Sequence, residues 1–156
     1  MPQHIRIFHC DDSSAFTRLV RHWLEDHADL RHVGVAHSGD DAIAAIGPAR
    51  PDVVLLDTMG SPGDTTLLRR IRSEAPQARV IVYSGYVSLL HEGELGAEAD
   101  AYIEKGEDEE ALVAMIRAVA AGRAGSDPAG TRARARRRPA ARRARAAPAP
   151  SRRWRA

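Results

Sequence analysis

Along the first 122 residues the hydrophobic positions switch repeatedly between a strand-like and a helix-like pattern. His4 to His9 is a short strand rich in Ile and Phe. From Ser13 the period lengthens, and Phe16, Leu19, Val20 and Trp23 fall at i, i+3, i+4 and i+7, one face of a helix. His32 to Ala36 reads as strand again. Ser38 then caps a helix with Asp41 three residues on, an acidic variant of the capping box, and Ala42 to Ile46 continue it. Val53 to Leu56 is a continuous apolar run, which suits a strand buried on both faces in the middle of a parallel sheet. Asp64 is placed to cap a helix through Leu67, Leu68 and Ile71. Val80 to Tyr83 predicts a fourth strand, Val87 to Leu95 a weaker helix, and Ala101 to Ile103 a short fifth strand. The last helix begins in the acidic cluster Glu107 to Glu110, favourable at the positive end of its dipole. Leu112, Met115, Ile116 and Val119 form its apolar face, and Gly122 ends it.

Strand and helix in alternation imply an α/β fold, a parallel sheet with helices on both faces. Ligands of such sheets bind at the carboxyl ends of the strands, near the switch in strand order. The first strand runs into Asp11 and Asp12, the third into Asp57, the fourth into Ser84 and the fifth into Lys105. Two carboxylates ~5 Å apart at an effective dielectric of ~20 repel by roughly 3 kcal/mol. A divalent cation removes that cost, and oxygen donors of this kind suit Mg²⁺. The cation, the Lys105 ammonium and the Ser84 hydroxyl would all suit an incoming phosphoryl group. Taken singly, each residue is more simply a turn, a cap or a solvated charge; together they converge on one edge. Lys105 is also the only Lys of the chain, against 22 Arg, where a point charge on a flexible stem differs from a planar fork.

Charge divides the chain in two. Residues 1–122 carry 11 Arg or Lys against 20 Asp or Glu, a net of −9, whereas residues 123–156 carry 12 Arg and one acid, a net of +11. The second segment contains no Leu, Ile, Val, Phe or Met, so burial cannot offset its ordering entropy and a disordered tail is expected. The single cysteine, Cys10, excludes a disulfide framework and reads as a small buried hydrophobe at a strand end. With no signal-peptide pattern and no apolar run near the ~20 residues of a membrane span, a cytoplasmic protein is expected.

The acid pair Asp11–Asp12, PDVVLLD ending at Asp57, VIVYSG with Ser84, and AEADAYIEKG with Tyr102 and Lys105 together resemble the receiver domain of bacterial two-component response regulators. The closing ALVAMIRAVAAG is similar to the last receiver helix of the subfamily that normally continues into a helix-turn-helix. The resemblance covers residues 4 to about 122. It implies a flavodoxin-like, doubly wound five-stranded sheet of order 2-1-3-4-5. Asp57 would accept a phosphoryl group from a sensor histidine kinase. Asp11, Asp12, Asp57 and the backbone carbonyl of Met59 would hold Mg²⁺, and Lys105 would pair with the phosphoryl group. Ser84 would move toward it and Tyr102 swing inward, re-forming the face of the fourth helix, fifth strand and fifth helix where partners, including a second copy, dock. Such a module is no enzyme beyond its own phosphorylation and dephosphorylation.

Two departures stand against the family pattern. After Asp57 the run is Thr58, Met59, Gly60, Ser61, Pro62, Gly63, with the Pro one place late and two Gly flanking the turn, so a looser loop is expected. Rival readings are a non-phosphorylated pseudo-receiver and a protein making non-specific nucleic-acid contact through its Arg-rich tail. Enzyme classes fare worse. The haloacid dehalogenase phosphatases place a second Asp where Met59 stands, and neither GxGxxG nor GxxxxGK[ST] occurs. The seven His, at 4, 9, 22, 27, 32, 37 and 91, read as structural or solvated, with His22 and His27 five apart on one helix.

The second departure is that no helix-turn-helix pattern follows Gly122. Of the 34 tail residues, 29 are Ala, Arg, Pro or Gly, the products of GC-rich codons. A frameshift remnant of a DNA-binding domain, a basic arm and an inert end all fit this composition. The remnant reading predicts that an alternative frame of the gene downstream of codon 122 encodes a helix-turn-helix; nucleotide sequencing that finds none ends it.

Overall fold

The computed structural model describes residues 4–59, 64–85 and 98–122. The expected helix over Val87 to Leu95, the loop 60–63 and the tail 123–156 lie outside the described residues. Five strands, β1 (Ile5–Cys10), β2 (Leu30–Ala36), β3 (Val53–Leu56), β4 (Arg79–Ser84) and β5 (Ala101–Glu104), form one sheet of order β2-β1-β3-β4-β5 with every pairing parallel. Four helices are described: α1 (Ser14–Glu25), α2 (Gly39–Ala49), α3 (Thr66–Glu74) and α4 (Glu109–Ala120). Strand order and fold class follow the sequence expectation.

The period of two along each central strand builds two cores. Phe8, Cys10, Val54, Leu56, Val80 and Val82 point to one face, where α2 and α3 cover them with Ala42, Ile46, Leu68 and Ile71. Ile7, Val53, Leu55, Ile81 and Tyr83 point to the other, covered by Val20 and Leu24 of α1 and Leu112, Ile116 and Val119 of α4. All four residues of β3 are buried, as its unbroken apolar run requires of a strand flanked on both sides.

Helix ends follow the capping chemistry of the sequence. Ser13 accepts from the Phe16 amide, and Asp108 from the Ala111 amide. Ser38 accepts from the Asp41 amide at 3.2 Å while its own hydroxyl donates to the Asp41 carboxylate at 2.7 Å, so the acid answers the cap through the hydroxyl, where a capping box would use the Ser38 amide. At α3 the N-cap position is Thr65, not Asp64, yet the Asp64 carboxylate still accepts the Thr66 amide at 2.9 Å. That bond holds the Asp64 carboxyl below its ordinary range. α1 stops at Glu25, so His27 lies beyond the helix, contrary to expectation, and its Nε2 meets Glu109 Oε1 of α4 at 3.0 Å.

Arginines tie the start of β5 to α3 and β4. The Asp100 carboxylate accepts from Arg72 at 3.0 Å, Arg79 at 3.1 Å and the Val80 amide at 2.8 Å, while Arg69 grips Glu98 through both Nε and a terminal nitrogen.

β1 and β2 slip by one residue between Ile7 and Phe8: Ile7 faces His32, but Phe8 faces Gly34, leaving Val33 as the extra residue. The Phe8 ring lies where a side chain at position 34 would stand, and a Cβ there would come within 2.6 Å of it. Gly34→Ala is therefore expected to destabilise the fold by about 1–3 kcal/mol, the cost of overpacking a closed core. Urea unfolding followed by circular dichroism measures it as a lower midpoint at unchanged slope.

Candidate functional site

Backbone hydrogen bonds carry the sheet past its last paired residues and set the site. The Asp11 amide donates to Ala36 of β2 at 3.0 Å, the Asp57 amide to Cys10 of β1 at 2.9 Å, and the Lys105 amide to Ser84 of β4 at 3.1 Å. Each chemically distinctive residue is thus held by the strand beside it, and the parallel register brings three strand ends into one plane.

Asp11, Asp12 and Asp57 bring one carboxylate oxygen each to within 4.8 Å of one another. Asp11 and Asp57 are buried and Asp12 is exposed. Lys105 reaches between the two buried acids, its Nζ 2.6 Å from Asp11 Oδ2 and 3.3 Å from Asp57 Oδ1. The remaining oxygens are also engaged: the Ser13 amide donates to Asp11 Oδ1 at 2.8 Å, and the Met59 amide to Asp57 Oδ2 at 3.0 Å. Met59 adopts the left-handed conformation, φ 46°, turning the chain sharply just past Asp57. Burial pushes the Asp11 carboxyl up, but the His9 ring, the Lys105 ammonium and the Ser13 amide outweigh it and hold the acid below its ordinary value.

Beneath these charges lies an aromatic floor that the sequence did not single out. His9, Phe16 and Tyr83 form a closed triangle with ring centroids 5.2 to 6.2 Å apart, and the Lys105 ammonium sits 4.7 Å above the Phe16 ring. His9 is fully buried, with Nε2 3.6 Å from Asp11 Oδ2. Its strand position gave the signal: Ile5, Ile7 and His9 share a face of β1, so a polar ring falls on an apolar side. His37 was likewise passed over, and its Nδ1 donates to the Asp11 carbonyl at 2.9 Å.

Ser84 and Tyr102 lie on the opposite face of the sheet. Ser84, the last residue of β4, is fully buried, and its Oγ is 3.0 Å from Thr58 Oγ1. Tyr102, paired with Val82 in the sheet, is half-buried against the α2–α3 core. Burial raises its phenol pKa, opposed by a bond from the Ala99 backbone. A cavity of about 140 Å³ opens on this side of Asp57, between Thr58, Met59, Leu67 and Val82. All seven residues singled out in the sequence therefore occur at one end of the sheet, divided between its two faces.

Three carboxylates and one ammonium leave a formal charge of −2 in a pocket of oxygen donors, with one acid open to solvent. That donor set fits a hard divalent cation that retains part of its water shell.

Residues 7–117 match the sequence profile of the response regulator receiver domain, and the chain belongs to that family. It is a receiver domain of two-component signal transduction, a signalling module whose acidic pocket is where such domains bind Mg²⁺. Among relatives, it is 35% identical over 115 residues to the transcriptional regulatory protein TrcR of Mycobacterium tuberculosis, covering 72% of this chain and 44% of that protein. It is 32% identical over 85 residues to a protein-glutamate methylesterase/protein-glutamine glutaminase of Syntrophus aciditrophicus, covering 54% of this chain and 24% of that protein. The chain thus spans less than half the length of these curated relatives. Among solved structures, the receiver domain of the response regulator NarL from M. tuberculosis superposes with a TM-score of 0.65 at 26% identity, over 78% of this chain and 100% of that one. A LuxR-family response regulator from Aurantimonas sp. gives a TM-score of 0.65 at 27% identity, over 78% and 88%. None of these likenesses favours nucleic-acid contact by the tail. Among the described residues no helix is long and apolar enough to cross a membrane.

Cys10 adjoins this site but plays no part in its chemistry. Burial, reinforced by Asp11 and Asp57, pushes its thiol up to about 12. At pH 8 the folded protein should resist iodoacetamide and the urea-unfolded chain react fully, as read by intact mass; rapid alkylation of the native state would contradict this placement.

Proposed function

We propose that Asp57 is the phosphoacceptor and that the other charged residues of the pocket serve its phosphorylation. The observation that carries this reading is the environment of the Asp57 carboxylate. It is buried, oriented by the Met59 amide, and faced by the ammonium of the chain's one lysine at 3.3 Å. A carboxylate oxygen of Asp57 would attack the phosphorus of a sensor kinase's phosphohistidine. The P–N bond breaks, its electrons pass to the imidazole, which takes up a proton, and an acyl phosphate remains on Asp57. Lys105 neutralises charge on the phosphoryl oxygens, an interaction worth more beside the buried Asp11 and Asp57 than in water. Asp11, Asp12, Asp57 and the Met59 carbonyl would hold Mg²⁺, which when bound supplies charge stabilisation to the transferring group. With all carboxylates ionised, the pocket without the ion keeps a surplus of negative charge that repels the donor.

The response would run through the other sheet face. Ser84 turns its hydroxyl to the phosphoryl oxygens, and Tyr102 turns toward the space beside Val82. Both residues lie on the α3 side of the sheet, Tyr102 on its β5 edge, so their movement would alter the surface along β5. Partners, a second copy among them, would read that surface.

Incubation with acetyl phosphate and Mg²⁺ should add the mass of one phosphoryl group to the wild-type chain and none to Asp57→Asn. EDTA should suppress the gain by at least ten-fold. A wild-type chain that stays unmodified while folded would leave a receiver that has kept its shape and lost its chemistry.

A further inference from the structure

The register of β3 and β4 reaches beyond their last paired residues. Val53 to Leu56 face Arg79 to Val82 one for one, and the same offset carried two residues further sets Thr58 opposite Ser84. Both side chains then fall on the face of Leu56 and Val82, and their hydroxyl oxygens are 3.0 Å apart. Asp57, between Leu56 and Thr58, has the opposite parity, so its neighbour in sequence is spatially a neighbour of the switch residue. Nothing in the phosphotransfer chemistry requires a hydroxyl at position 58. The group it meets is the Ser84 hydroxyl.

We propose that Thr58 is a positioning residue that latches the Ser84 hydroxyl in its unphosphorylated arrangement. This rests on the reading of Asp57 as phosphoacceptor. Ser84 carries a single hydroxyl proton, and phosphoryl oxygens are acceptors only. Once Asp57 is phosphorylated, Ser84 must give that proton to the phosphoryl group, in a charge-assisted bond stronger than a hydroxyl pair. Thr58 and Asp57 point to opposite faces of the sheet, so a Ser84 hydroxyl turned to phosphoryl oxygens on Asp57 leaves Thr58 whichever of the two hydroxyls donates, and the Thr58–Ser84 bond opposes that turn. Removing the Thr58 hydroxyl withdraws a stabilisation from the resting side alone, which shifts the two-state balance toward the switched conformer. One neutral hydrogen bond corresponds to a shift of about 2- to 10-fold.

The test uses the full chain with Thr58→Val, nearly isosteric and without the hydroxyl, and Thr58→Ser, which restores it. The first readout is the initial rate of phosphorylation by acetyl phosphate with Mg²⁺, followed by intact mass. The second is the amide chemical shift of Gly85 in the unphosphorylated protein. Thr58→Val is expected to be phosphorylated about 2- to 10-fold faster than wild type. Its Gly85 resonance should move toward the position seen after phosphorylation, and Thr58→Ser should return both to wild type. If Thr58→Val does not fold, Thr58→Ala takes its place. A valine variant phosphorylated at the wild-type rate or more slowly, alongside a wild type that is modified normally, overturns the latch and leaves Asp57 as acceptor. A wild type that takes no phosphoryl group overturns the underlying reading, and the latch with it.

Discussion

Two carboxylates buried at adjacent strand ends are the constraint around which the rest of the molecule is arranged. Asp11 has no access to solvent and Asp57 very little, so water cannot disperse their charge. The answer is local and specific: one ammonium between them, backbone amides on the free oxygens, and a polar ring alongside. An ammonium placed between two acids is itself hard to keep in position, because its stem is flexible. Phe16 supplies the seat, and Tyr83 and His9 brace Phe16 from the core below. The aromatic cluster is thus part of the electrostatics of the site as well as of its packing.

The sheet separates the seat of the lysine charge from Ser84 and Tyr102 by parity alone. Odd and even positions of a strand look to opposite faces. His9, Tyr83 and the seat of Lys105 lie on the side of α1 and α4; Thr58, Ser84 and Tyr102 lie on the side of α3. Asp57 stands at the rim where the two meet. A change of charge on its carboxylate is therefore felt by both layers, although no side chain of one layer need pass through the other.

Much of this was legible in the sequence because the fold and the site obey the same alternation. The unbroken run Val53–Leu56 identified the central strand, and from there the positions of Asp57, Asp11 and Lys105 at neighbouring ends followed. What stayed hidden was pairing. Lys105 was expected to face a phosphoryl group, but its contact with Asp11 depends on the distance between β1 and the turn after β5, which no periodicity encodes. His9 was grouped with six other His because its significance lies in depth of burial, not in spacing. The hydroxyl contact of Thr58 needs the exact register of β3 against β4. The shift of the α3 cap from Asp64 to Thr65 is smaller: the Asp64 carboxylate, one place before the cap, still accepts the Thr66 amide. The reading of 123–156 rests on composition alone.

The slip between β1 and β2 bears on how this chain can change over generations. Phe8 occupies the volume that a side chain at position 34 would need, and it leads by two residues to Cys10, whose carbonyl anchors Asp57. Neither residue of the pair is free to drift by itself. A larger residue at 34 is admissible only after the ring at 8 has shrunk, and a smaller residue at 8 opens a void that position 34 is then available to fill. Two sites 26 positions apart in the gene are in this way bound to one evolutionary fate, with the geometry of the acidic pocket as the stake.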